Sequence, residues 1–179
     1  MTWGDVKRSQ RCRAASQRGL TLIELVVCLA IMSALVGFTL NRSRDSMELA
    51  EKAAMETQYL ALRSAMHLRV AKLISTGRTS ELASFIGSNP MQWLGQEPAN
   101  YLGAVAGETA VGGRVGAWYF DTISAELVYL ASRHAHLKPD SAGRYRVRYQ
   151  VSTAAAVKPG ADLSMVWPVL SVVEPYQWF

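Results

Sequence analysis

The sequence predicts an α+β chain: one long N-terminal helix, its first half apolar enough to span a membrane, packed on an antiparallel sheet of roughly four strands. Three observations carry this. Leu20–Leu40 holds no proline and a single ionisable side chain, Glu24. Met55, Tyr59, Leu62, Met66, Val70 and Leu73 then recur at steps of three and four, the period of a helix with one apolar face. Finally, "GRYRVRYQV" alternates, with Tyr145, Val147, Tyr149 and Val151 on one side and Arg144, Arg146, Arg148 and Gln150 on the other, the two-residue period of a strand.

As a helix, Leu20–Leu40 is about 31 Å long, close to one bilayer hydrocarbon core. Charge flanks it on both sides. Lys7, Arg8, Arg11, Arg13 and Arg18 against Asp5 give the first nineteen residues a net +4 of the chain's +5, leaving the remainder almost neutral. The basic character therefore belongs to the leader and is no argument for nucleic acid. The denser cluster places the N-terminus in the cytoplasm and the bulk of the chain across the membrane. A secretory signal peptide is the plain alternative. The run is long for its apolar region, however, and a carboxylate inside it is unfavourable. At the centre of a membrane helix a glutamate costs roughly 2.5–3.5 kcal/mol, somewhat less near the interface. Glu24 therefore needs a reason to be there.

"RGLTLIEL", residues 18–25, resembles the prepilin signature of type IV pilins and type II secretion pseudopilins, and the apolar helix behind it extends the likeness. The resemblance implies a pilin fold, cleavage by a prepilin peptidase between Gly19 and Leu20, methylation of the new amino terminus, and an assembly role for Glu24. Leu20 stands where phenylalanine is commonest in that family. Cutting there leaves an α-amino cation four positions ahead of Glu24, roughly 6 Å along the helix axis. Two parallel helices displaced by about one turn would set one subunit's amine beside the next subunit's carboxylate, offsetting two buried charges against each other. The implied organisation is a leader over 1–19, a membrane half-helix over 20–40, a soluble half-helix over 41–76 and a globular domain over 77–179. The implied partners are other pilin or pseudopilin subunits, the prepilin peptidase, an inner-membrane assembly platform and membrane lipid. The implied location is single-pass in the bacterial inner membrane, with the C-terminal domain periplasmic.

Cys12 lies in the leader and Cys28 in the membrane run, so no disulfide can staple the exported domain. Many major type IV pilins close a C-terminal loop that way, which points here to a minor pilin or pseudopilin. "WYFD" followed by "LVY", with "NPMQWLGQEPANYLG", more loosely resembles small pilin-like proteins of proteobacterial secretion and pilus systems.

Beyond the membrane run, the apolar stripe should grip the domain. Glu48, Glu51, Lys52, Glu56, Arg63, Arg69 and Lys72 largely take other faces, and His67 reads as a surface or boundary residue. Gly77 suits a helix C-cap, and Thr79 an N-cap for a short helix over "SELASFI", which Gly87 and "SNP" end. Residues 77–114 hold that helix and then an irregular connector anchored by Trp93 and Tyr101. Residues 115–179 hold the sheet: "RVGAWYF" and "ELVYLA" form a hairpin around "DTISA", and "DLSMVWPVLSVV" is the last strand, with Pro168 marking an edge. The aromatic tail "EPYQWF" is expected to dock back.

No enzyme is expected. The chain has no nucleophile elbow, no HExxH helix and no phosphate loop, since "GGRVG" lacks the glycine spacing. No cofactor and no metal are expected either. His134 and His136, read as sharing a strand face, have zinc-compatible spacing but no supporting cysteine or carboxylate pair. Asp121, Asp140 and Asp162 lack the dense oxygen pattern of a calcium loop. Arg144, Arg146 and Arg148 form a basic row able to contact phosphates, so the alternative function is a minor pilin that binds DNA or surfaces at a filament.

Overall fold

In a computed structural model of the chain, residues 21–153 and 167–179 are described. The chain forms two compact units, one up to Arg42 and a globular one from Ser43 to Phe179. A single helix, α1, runs Leu22–Ser75.

In the first unit every described side chain from Thr21 to Leu40 is exposed, and α1 is long and apolar enough to cross a membrane. The exposed residues lie all around the helix, which marks a segment meant for an apolar surrounding rather than a core. Its hydroxyls are turned onto their own helix: Ser33 Oγ donates to Leu29 O at 2.7 Å and Thr39 Oγ1 to Leu35 O at 2.8 Å. A polar group has no water to bond inside hydrocarbon, so such back-bonding is how it is satisfied there.

In the globular unit the predicted stripe is buried. Met55, Leu62, Met66, Val70 and Leu73 lie under one face of the sheet, with Tyr59 half-buried beside them. The helix stops at a Schellman turn: Gly77 N–H donates to Ile74 O and Arg78 N–H to Leu73 O, with Gly77 at φ +70°. Thr79 opens the following 3₁₀ turn, Thr79–Phe85, from within. It is not the cap that its residue type suggests, and Arg78, which precedes it, makes no side-chain capping bond. A second 3₁₀ turn, Pro90–Trp93, is capped by Asn89, whose Oδ1 accepts from Met91 N at 3.0 Å.

The sheet has five strands rather than four: β1 Tyr101–Val105, β2 Ala117–Asp121, β3 Glu126–Leu130, β4 Arg146–Thr153 and β5 Pro168–Val172, in that spatial order. β2 to β5 pair antiparallel, including the predicted hairpin. The added strand, β1, lies in the stretch read as irregular and pairs parallel with β2. Its register shifts between Tyr101 and Ala104, and Gly103 sits at φ +92°. A bulged edge strand held by distant backbone bonds leaves no two-residue period to read. β4 begins at Arg146, so Tyr145 falls outside the strand and stacks on His134, ring centroids 4.1 Å apart. Pro168 opens β5 at the sheet edge, where its missing N–H costs nothing.

The core cluster joins Trp118, Tyr129, Val147, Tyr149, Val151 and Leu170 to the α1 stripe. Tyr59 stacks on Tyr149, and Trp118 packs tilted against Tyr129 at 53° between ring planes, each pair at 4.9 Å between centroids. A smaller cluster of Val111, Tyr119, Val128 and Leu130 covers the other sheet face.

Candidate functional site

The first turn of α1 carries the carboxylate that the sequence singles out. Thr21 immediately precedes the helix, and its Oγ1 accepts from Glu24 N–H at 3.3 Å. A threonine before the first turn with a glutamate three residues on is the pattern that starts a helix, so the helix begins where the apolar run begins. The Glu24 side chain is exposed and makes no ion pair among the described residues. Gly19 and Leu20 lie outside the described residues, as does Asp162.

Farther along, Leu49, Ala53, Thr57, Leu60, Ser64, Leu68 and Ala71 follow one another at steps of three and four and are all exposed. This outward face of the stem is uncharged over its whole length, and the charged residues lie on its flanks. It is a surface on which another helix can pack closely, because small residues let backbones approach.

Two acids placed by the helix period off the apolar stripe do something else. Glu48 is buried, 2% exposed, and accepts from His136 N–H at 2.9 Å and Trp178 Nε1 at 2.9 Å, with His136 Nδ1 at 3.0 Å. Burial works to raise its pKa, but the His136 and Trp178 donors outweigh this and hold it below the usual carboxylate value. Glu51 accepts from Tyr129 Oη at 3.0 Å, Ser132 N at 2.6 Å and Arg133 N at 3.0 Å. Lys52 Nζ donates to Trp178 O at 2.8 Å. One turn of α1 thus clamps both the loop after β3 and the predicted aromatic tail, which adds a bridge between Leu137 and Trp178. Glu48 is seven residues, two helical turns, before Met55, so the buried stripe could have been extended back to it. Its charge argued against that.

His134 and His136 do not share a strand face. They lie in this irregular loop, one against Tyr145 and the other against Glu48 and Phe179. Among the described residues no group of three or more His, Cys, Asp or Glu side chains is placed to hold a metal. His67 is exposed, as expected.

The arginine row is held by carboxylates. Arg144 pairs with Glu108, Arg146 with Glu108 at 2.9 Å and Asp140 at 2.6 Å, and Arg148 with Glu174 at 2.9 Å and Glu126 at 3.4 Å. Asp140 also accepts from Ala142 N and Arg144 N, closing the loop before β4. Burial would raise the Asp140 pKa, but the Arg144 N–H and the Arg146 guanidinium hold it below the ordinary value. Burial would likewise lower the pKa of Arg146, and Asp140 more than reverses it. Three guanidinium groups facing four carboxylates leave this sheet face without excess positive charge. Asp121 is structural too, its Oδ1 accepting from Gly107 N at 3.1 Å and Ile123 N at 2.9 Å.

Residues 14–40 match the family model for the prokaryotic N-terminal methylation motif. That is the prepilin signature of type IV pilins and pseudopilins, and one long N-terminal helix with a mainly antiparallel sheet is consistent with the pilin fold. Neither a curated protein nor a solved structure matches the chain.

Proposed function

We propose, from the prepilin signature, that the chain is a structural subunit of a type IV pilus or type II secretion pseudopilus. On this reading a prepilin peptidase cuts between Gly19 and Leu20 and methylates Leu20. The mature chain waits in the inner membrane, N-terminus cytoplasmic and globular unit periplasmic, until an assembly platform adds it to a filament. The carrying observation is Glu24: a carboxylate unpaired among the described residues, on the exposed and otherwise uncharged apolar run of α1 up to Leu40, which a neighbouring subunit's amino terminus would neutralise. The uncharged outward face of the stem supports the same reading, because filament neighbours need somewhere to pack. The work of such a subunit is assembly, and the chemistry is done on it rather than by it.

Glu24→Val should leave membrane insertion intact and impair ordered incorporation, scored as the fraction of chain in sheared filaments against the membrane fraction. Normal incorporation of this variant overturns the pairing role. A mature N-terminus other than Leu20, read by mass, overturns the processing. The alternative of a DNA-binding minor pilin leaned on Arg144, Arg146 and Arg148. With each guanidinium on a carboxylate, a salt-sensitive gel shift is expected to be absent.

A further inference from the structure

β5 pairs with β4 only as far as Val172, and Val173 N–H makes one more bond, to Arg148 O at 2.9 Å, before the tail leaves the sheet. The tail rejoins the chain at Gln177, whose O accepts from Lys138 N–H at 2.9 Å. Between these two bonds the start of β4, the loop before it and the tail line a cavity of about 370 Å³, within the size range of small-molecule sites. Part of its lining is already fixed. Asp140 holds Arg146, and Glu174 holds Arg148 while accepting from Ser141 N and Ser141 Oγ at 2.9 Å each. A ligand therefore need not order these groups on binding. Hydrogen-bonding capacity is left over at three places. The Lys138 ammonium and the Gln177 amide have no partner among the described residues. Glu174 Oε1 accepts from Ser141 N alone, although a carboxylate oxygen has room for about two donors.

Charge selects against an ion here. Lys138, Arg144, Arg146 and Arg148 are matched by Glu108, Glu126, Asp140 and Glu174, so the cavity and its surroundings carry no net charge. What remains is donors beside an acceptor. That combination suits a group that accepts and donates at one atom, a hydroxyl. Pro139, Pro175 and Tyr176 complete the lining with apolar ring surface, against which the C–H face of a sugar ring can pack. We propose that this cavity binds a short neutral saccharide, whose hydroxyls accept from Lys138 and Gln177 and donate to Glu174. The site lies wholly within the globular unit and needs nothing from the apolar run of α1.

The test uses the full chain in a zwitterionic detergent that carries no sugar, with a fluorophore on its cysteines, which lie outside the globular unit. The labelled chain is passed over an array of immobilised neutral, acidic and amino glycans. Retention on one or more neutral glycans is expected, and raising the salt about tenfold should leave it unchanged, because no charge on the ligand is being screened. Lys138→Ala and Gln177→Ala should each weaken that binding about fivefold, the loss of one hydrogen bond. Both side chains are exposed and unpartnered among the described residues, so the denaturant midpoint of each variant should match the parent's. Lys72→Ala, outside the cavity and also exposed, should bind as the parent does. Retention of no glycan, or of acidic glycans alone in a salt-sensitive manner, overturns the proposal. So does a neutral glycan held equally well by the Lys138→Ala, Gln177→Ala double variant, or one lost as readily with Lys72→Ala.

Discussion

Removing the Glu48 carboxylate is the perturbation whose cost follows most directly from the structure. In Glu48→Ala the three donors that faced it lose their acceptor. Two belong to His136: the ring nitrogen, on a side chain 43% exposed, can turn to water, and the main-chain N–H loses one ordinary hydrogen bond, so they contribute about 1 kcal/mol together. The third is the indole N–H of Trp178, itself 2% exposed, and a buried unsatisfied donor costs about 1–3 kcal/mol. The expected destabilisation is therefore about 3 kcal/mol, below the roughly 3–5 kcal/mol ceiling for breaking a buried charged pair. Glu48→Gln keeps one oxygen for the indole and should cost about 1 kcal/mol. The assay is denaturant unfolding of the full chain in detergent, followed by tryptophan emission, with amide exchange at Leu137, Lys138 and Phe179 reporting the tail. The pH sign is fixed by the lowered pKa. Glu48 contributes its full stability above its ordinary value of 4.5, and that contribution is lost as pH falls through the lower folded-state value. Glu48→Gln should remove this part of the acid limb. A loss under about 1 kcal/mol for Glu48→Ala, or unchanged tail protection, would refute the clamp.

Three further outcomes are expected. Leu62→Ala, at a fully buried position in the middle of the stripe, should cost about 2–5 kcal/mol in the same unfolding assay. Gly77→Ala should cost about 1 kcal/mol from backbone strain alone, because its φ is +70° and the added methyl meets nothing within 4 Å beyond its own stretch of chain. Asp140→Asn should cost about 1–3 kcal/mol, since it weakens two backbone acceptor bonds and leaves Arg146 to Glu108. The Asp140 contribution is present above its ordinary value of 3.8 and lost as pH falls through the lower folded value, so the variant should be less acid-sensitive than the parent.

Much of the helix and most of the sheet were legible in the chain because their signals are local. Met55 to Leu73 repeat with the helix period, and Val147 to Val151 with the strand period, so burial could be assigned without knowing the partner. Gly77 announced its turn through a backbone angle that other residues resist. Thr79 misled because its capping preference is weak beside the Schellman turn just before it. β1 escaped notice because a five-residue edge strand with a glycine and a bulge gains its stability from β2, sixteen or more residues away.

Glu48 and the arginine row make the same point for side chains. A charged residue type declares a preference for water, and only its three-dimensional neighbours decide whether donors replace that water. His136 and Trp178 do so for Glu48 from 88 and 130 residues away, and Glu108 faces Arg146 from 38. The sequence by itself determined the apolar span, the lone acid within it, the signature around that acid and the periods of stem and sheet, because each is a property of near neighbours along the chain. The tertiary structure alone decided the fifth strand, the clamp on the tail and the pairing of the arginines. Each of these depends on which distant groups chain folding brings within hydrogen-bond reach.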